Sequence, residues 1–161
     1  GGGGNVVGVD PSPGMLAQVN VPGIELLQGT AESLPRADGS ASFLSMGYAL
    51  RHISDVGAAF AEFHRVLKPG GRLCILEITR PATRAGTAVL RAYMRGAVPL
   101  IAKFVGGQGQ TSHLWQYYWD TIEACIAPPV VMQALQAAGF EKVARHVEVG
   151  IFSEFTAVKP A

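Results

Sequence analysis

The chain has 161 residues, enough for one domain whose core needs no metal or disulfide staple. Its formal charge is +1, with no basic face or arginine cluster, which gives no footing for nucleic acid as a partner. Hydrophobic residues make up 48% and charged residues only 16%, so a lipophilic substrate, a homodimer interface and peripheral contact with a membrane all stay open.

In chain order, Val6 to Val9 predicts a strand ending at Asp10, and Asp10-Pro11-Ser12-Pro13-Gly14 a loop into a short helix. Ile24 to Gln28 reads as the next strand, Thr30 to Ser40 as a polar loop, and Phe43 to Met46 as a third strand. A helix is expected from about Val56 to Leu67, because Phe60, Phe63, Val66 and Leu67 recur at helical spacing. Lys68-Pro69-Gly70-Gly71 should end it, with the lysine near the negative helix pole and glycines able to take positive φ. Arg72 to Ile78 follows as a strand. Its run Leu73-Cys74-Ile75-Leu76 has no polar face, as expected of a strand covered on both sides.

Thr87 to Val105 predicts two helical pieces bent at Pro99, with a broad apolar face interrupted by Arg91, Arg95 and Lys103. That face suits packing on the sheet, packing on a second subunit, or a lid over an oily substrate. Pro128 to Ala138 reads as a helix with prolines in its first turn and Gly139 at its C-terminal break. Val143 to Val149 and Phe152 to Val158 are separated only by Gly150-Ile151, which predicts an antiparallel hairpin. The whole is an α/β, Rossmann-like chain: a mostly parallel sheet, helices on both faces, and a C-terminal antiparallel hairpin.

Two stretches look short for that plan. Only Pro11 to Gly23, with three prolines, link the first two strands, barely enough for a parallel crossover. A nucleotide-binding α/β domain normally starts with a strand feeding a glycine loop, yet Asn5-Val6 comes straight after Gly1 to Gly4. Residues are therefore expected to be missing at the start and near Gln18 to Val21. Cys74 and Cys125 lack metal-ligand spacing and read as reduced thiols of a cytoplasmic protein, with no metal implied. Neither a signal peptide nor an apolar run of roughly 18 residues is visible.

The chemistry collects at strand ends. Asp10 closes VVGVD, where a carboxylate accepts hydrogen bonds from a ribose diol or caps the following helix. Glu32 suits either a pocket wall or a solvated loop. Met46-Gly47-Tyr48-Ala49-Leu50-Arg51-His52 leaves the third strand, and strand ends of such sheets surround the ligand crevice. His52 is the candidate base, histidine being a usual proton acceptor; helix-start packing is its other reading. Arg51 suits stabilisation of a phenolate or a structural ion pair. A nicotinamide dehydrogenase is disfavoured, because GxGxxG and Tyr-x-x-x-Lys are both missing.

Several strings together resemble class I S-adenosylmethionine-dependent methyltransferases, above all the ubiquinone/menaquinone C-methyltransferase family. They are EFHRVLKPGGRLCILEITRP (Glu62 to Pro81), GVDPSPGML (Gly8 to Leu16), GTAESLP (Gly29 to Pro35), LRHISD (Leu50 to Asp55) and VPLIAKFVGG (Val98 to Gly107). The resemblance covers about nine tenths of the chain. It implies one methyltransferase domain over residues 1–161, incomplete at its N-terminus, with a helical substrate-covering insertion at about 82–120.

It further implies that Asp10 binds the ribose of S-adenosylmethionine, that Met15 lies beside the nucleoside, and that Thr30 and the Ala31 backbone face the adenine. Thr30 stands where the family usually has Asp, removing a charge. Glu32 is placed in the same pocket, Met46 and Gly47 between cofactor and acceptor, Tyr48 against the substrate, and Arg51 and His52 in catalysis. Trp115 to Pro129 departs from the family pattern. The implied reaction is methyl transfer to a lipophilic aromatic or quinone precursor. The alternative is a methyltransferase-fold binding or scaffold protein without catalysis.

Overall fold

The computed structural model describes residues 5–81, 83–93, 96 and 125–161. In chain order they form β1 (Val6–Asp10), α1 (Pro13–Leu16), β2 (Ile24–Gln28), β3 (Ala41–Gly47), a 3-10 turn (Leu50–His52), α2 (Val56–Val66), β4 (Leu67–Ile78), α3 (Arg84–Ala92), α4 (Pro128–Ala137), β5 (Glu141–Glu148) and β6 (Phe152–Val158). The expected helix of residues 87–105 thus starts earlier, at Arg84, where the Thr83 side chain caps it. The rest of that expectation, the string Val98 to Gly107 and most of Trp115 to Pro129 lie outside the described residues.

Strands β1 and β2 pair in parallel, from Val6 opposite Ile24 to Asp10 opposite Gln28. Thirteen residues with one turn of helix carry that crossover. β3 and β4 are also parallel, whereas β4 and β5 each run antiparallel to β6, in the order β3-β4-β6-β5. The mixed α/β architecture and the terminal hairpin are those expected. Among the described residues, however, the strands hydrogen-bond as two sheets of two and four rather than as one. Among the described residues, β1 and β3 each have one neighbouring strand.

The Asp55 carboxylate starts α2 by accepting the Ala58 N–H at 3.0 Å. The helix runs straight into β4, because Leu67 is already extended and Gly70 takes φ +74°. A Cβ on Gly71 would lie 2.7 Å from the Lys68 carbonyl oxygen, so only glycine fits there. The cation at the helix's negative end is not the expected one. Lys68 is exposed, and Lys159, at the end of β6, reaches across to donate Nζ hydrogen bonds to the His64 and Leu67 carbonyls at 2.7 and 2.8 Å. One ammonium therefore ties the last residues of the chain to the α2–β4 junction.

Side chains of β4 alternate. Leu73 and Ile75 point into the core formed with Phe60, Phe63, Val131, Leu135, Phe140 and Phe155, under α2 and α4. The opposite face of β4 is only partly covered, with Leu76 41% exposed, which corrects the expectation of a strand buried on both sides. Antiparallel pairing with β6 permits that one-sided exposure. β5, the outer strand, carries Glu141, Lys142, Arg145, His146 and Glu148 and has a register shift near its start; such charges and irregularities discourage edge-to-edge association.

The core sits between α2, α4 and the four-stranded sheet, with Phe155 fully buried at its centre and Phe43 57% exposed on β3. Phe155→Ala is expected to cost about 3–5 kcal/mol in denaturant unfolding, and Phe43→Ala well under half of that. Equal losses would contradict this placement of the core.

Candidate active site

Parallel pairing aligns strand ends. Gly47 lies opposite Leu76 and Asp10 opposite Gln28, so the functional candidates come off the carboxyl ends of β1, β3 and β4. At the end of β1 the Asp10 Oδ1 accepts the Ser12 N–H at 2.8 Å. Ser12, not Asp10, caps α1, through its side-chain oxygen and the Met15 N–H. Of the two readings of Asp10, capping is thereby assigned to its neighbour. Among the described residues no protein donor bonds Asp10 Oδ2. Met15 is exposed on α1.

The loop after β2 folds back on itself through a bridge between Thr30 and Ser33. Thr30 is exposed, and Ala31 packs against the edge of the core. Glu32 is half-buried on the same loop. Its Oε1 accepts the Ser54 N–H at 3.1 Å and so joins this loop to the start of α2. Its own backbone N–H, then those of Ser54 and Asp55 and the Thr30 hydroxyl, hold its pKa below the usual carboxylate range against the opposing effect of burial. Farther along, Arg65 donates to the Leu34 and Arg36 carbonyls and to Asp38 and Glu62, while Glu62 accepts the Leu34 N–H. The polar loop is pinned to α2 at both ends.

Beyond β3, Tyr48 adopts φ +56°, uncommon for a bulky residue, and its N–H bonds the Leu76 carbonyl at 2.8 Å. The turn thereby docks on the end of β4. The next turn separates the two catalytic candidates. His52 is exposed and Arg51 is drawn inward, where Nη1 meets Glu77 Oε1 at 3.0 Å. Arg51 therefore does make the ion pair that was one of its two readings.

Glu77 was not anticipated, having been read as part of an apolar strand. Its place two residues on from Ile75 and four from Leu73 puts it on the core-facing side, and that spacing was the available signal. Its side chain is 0% exposed, and Oε1 also accepts the Ile78 N–H at 2.9 Å. Glu77 Oε2 and Arg51 Nε are buried and have no partner among the described residues. Each such atom costs about 1–3 kcal/mol, more when charged, so the geometry needs a reason. Burial, followed by the nearby Glu77 charge, pushes the Cys125 thiol up to about 11, which marks it as inert rather than nucleophilic.

A cavity of about 240 Å³ opens at this edge, lined by Tyr48, Leu76, Glu77, His146, Glu148, Phe152, Ser153 and Glu154. Its base is braced by Arg145, which donates to the Thr79 and Ser153 hydroxyls at 2.9 to 3.1 Å and lies over the Phe155 ring. The cavity gathers Tyr48 but not Asp10, Thr30 or His52, so the candidates fall into two neighbourhoods, with Met46 and Gly47 on the strand that leads to Tyr48.

The profile of the ubiE/COQ5 methyltransferase family matches residues 3–159. The chain belongs to that family. It is 34% identical over 152 residues to the 2-phytyl-1,4-naphtoquinone methyltransferase of Thermosynechococcus vestitus, covering 91% of this chain and 66% of that protein. With the demethylmenaquinone methyltransferase of Corynebacterium kroppenstedtii it shares 31% identity over 156 residues, 96% of this chain and 67% of the relative. The chain thus spans about two thirds of the length of these relatives. A solved Thermotoga maritima structure, described as an S-adenosylmethionine-dependent methyltransferase and possible histamine N-methyltransferase, superposes with a TM-score of 0.66 at 22% identity, covering 96% of this chain and 72% of that one. This is the fold of S-adenosylmethionine-dependent methyltransferases. Among the described residues, no helix is long and apolar enough to cross a membrane.

Because the folded pKa of Glu32 lies below its ordinary 4.5, its contribution to stability is complete above that pH and disappears as pH falls through the lowered value. Glu32→Gln should therefore lower the denaturant midpoint at pH 7, with the gap to wild type closing in acid. A gap that stays constant from neutral to strongly acidic pH would contradict the clamp.

Proposed function

We propose that this ubiE/COQ5-family chain binds S-adenosylmethionine at the carboxyl ends of β1 and β3 and supports methyl transfer to a hydroxylated, lipophilic aromatic of the quinone-precursor class. The observation that carries the reading is Asp10, which ends β1 with one oxygen unbonded among the described residues while Ser12 takes over helix capping. A strand-end carboxylate with a spare acceptor fits a ribose diol. Thr30 and the Ala31 backbone, on the loop after β2, suit the purine edge. Glu32 supports that loop by bonding Ser54, and in this reading it acts on the cofactor only through the loop's position. Met15, on α1, and Met46 and Gly47, at the end of β3, complete the candidate cofactor set.

The cofactor supplies a methyl group already activated on a positively charged sulfur. The chain's own residues then have to align and dry the site rather than generate a nucleophile. Tyr48, Leu76 and Phe152 offer apolar walls for an aromatic ring in the neighbouring cavity. Arg51 and His52 stay the candidates for catalysis, Arg51 paired with Glu77 and His52 exposed. The relatives' names, a phytyl naphthoquinone and demethylmenaquinone among them, support a prenylated aromatic as acceptor. A cytoplasmic enzyme meeting such a substrate at the membrane surface, as a homodimer or alone, fits the apolar composition.

Replacing Asp10 with Ala should weaken S-adenosylmethionine binding by more than about tenfold in calorimetry, since a charge-assisted hydrogen bond is worth roughly 1.5–3 kcal/mol. Thermal unfolding should change little. An unaltered dissociation constant would remove Asp10 from the cofactor site.

A further inference from the structure

We propose that α3 docks on a membrane surface beside anionic phospholipid headgroups, an inference that builds on the membrane contact in the reading above and gives it a surface and a lipid charge. The formal charge of +1 conceals a segmental bias. Between Glu77 and Asp120 stand Arg80, Arg84, Arg91, Arg95 and Lys103, five of the chain's 13 cationic residues and none of its 12 acidic ones. A long stretch of one sign suits a partner of the other sign.

Inside that stretch, α3 presents its apolar side outward, the reverse of a helix that packs on a core. Gly86, Thr87 and Leu90 share the half-buried side, where the Thr87 hydroxyl donates to the Pro81 and Thr83 carbonyls at 3.3 and 3.1 Å. Ala85, Ala88, Val89, Ala92 and Tyr93 recur at three- and four-residue spacing on the other side and are exposed, Val89 by 69% and Tyr93 by 54%. Arg91, three residues after Ala88, is exposed along the flank of that stripe, and Arg80 is exposed on the segment leading into the helix. The Thr83 hydroxyl accepts the Gly86 N–H at 3.0 Å, so a polar cap rather than burial of the apolar side starts the helix.

An apolar stripe flanked by cations, with a tyrosine at its end, suits a helix lying in the headgroup boundary. A second copy docked through the same face would set Arg91 against its own counterpart across the two-fold axis. Nine residues rise only about 13 Å, and one face of that length falls well short of the roughly 800 Å² per partner of a standard protein interface. A bilayer has neither limit, since it offers continuous anionic charge over an apolar interior. Residues 79–83 link α3 to Ile78, the last residue of β4, and Phe152, opposite Ile78, lines the cavity with Leu76. A lipid-borne acceptor would thus meet the protein next to the strand end that holds the cavity.

The test is sedimentation of the full chain with vesicles of phosphatidylcholine alone and of an equal mixture with phosphatidylglycerol. Wild type should bind the mixed vesicles roughly tenfold or more tightly than the neutral ones, and high salt should erase the preference. Arg91→Ser should weaken binding to the mixed vesicles by about fivefold, and Val89→Ser by a similar factor. Arg72→Ser removes the same charge from an exposed position on β4 and should leave binding unchanged. No preference of wild type for the anionic vesicles overturns the proposal. Equal losses in Arg72→Ser and Arg91→Ser overturn it too, by tracing binding to net charge. If sedimentation equilibrium finds a wild-type dimer that Val89→Ser dissociates, the face belongs to a second copy and the proposal fails. Calorimetry with S-adenosylhomocysteine separates the two readings: binding of that ligand without vesicle binding sinks the docking surface alone, and vesicle binding without that ligand sinks the transferase reading alone.

Discussion

Strand β4 is the constraint on which the rest depends. It is paired in parallel with β3 on one side and antiparallel with β6 on the other, and its inward side chains carry the weight of α2 and α4. The parallel register determines which residues emerge together at the carboxyl edge, because Gly47 must end level with Leu76. The antiparallel register brings Lys159 back to the foot of α2, closing the helix through its last carbonyls. Sheet direction, helix termination and the position of the candidate site are thus consequences of one strand's hydrogen bonding.

The same strand carries the principal tension in the molecule. Leu73 and Ile75 bury hydrocarbon, and two residues later Glu77 buries a carboxylate on the same face. Arg51 relieves part of that cost through one contact, and among the described residues Arg51 Nε and Glu77 Oε2 have no partner. Cores do not keep half-satisfied charge pairs for stability, since a well-packed apolar pair of similar volume is often as stable or more so. The pair fixes the 3-10 turn that carries Arg51 to strand β4. The polar network behind it, Arg145 with Thr79 and Ser153, is closed within itself and serves as a rigid backing.

Much of the fold could be read from local pattern. The strands Ile24–Gln28 and Phe152–Val158, the hairpin between β5 and β6, and the helix opened by Pro128 follow from short-range periodicity and turn chemistry, and the structure reproduces them. What stayed hidden was set by distant pairing. Lys68 was the cation nearest in sequence to the end of α2, yet Lys159 fills the role from more than ninety residues away. The apolar look of Leu73 to Leu76 concealed that only alternate residues face the core, and with it the burial of Glu77. At the site, Asp10 and Tyr48 were visible because strand ends are recognisable in sequence. The pairing of Arg51 with Glu77, 26 residues apart, and the separation of Arg51 from His52 depend on a 3-10 turn whose direction no local pattern encodes.

The central claim is that the carboxyl ends of β1 and β3, with the loop after β2, form the nucleoside site of a methyltransferase. Backbone amide shifts recorded by NMR as S-adenosylhomocysteine is titrated into the chain test it most directly. The account predicts the largest changes at Asp10, Thr30, Ala31, Met46 and Gly47. Binding that leaves those amides unmoved and perturbs the β5–β6 hairpin instead would contradict it.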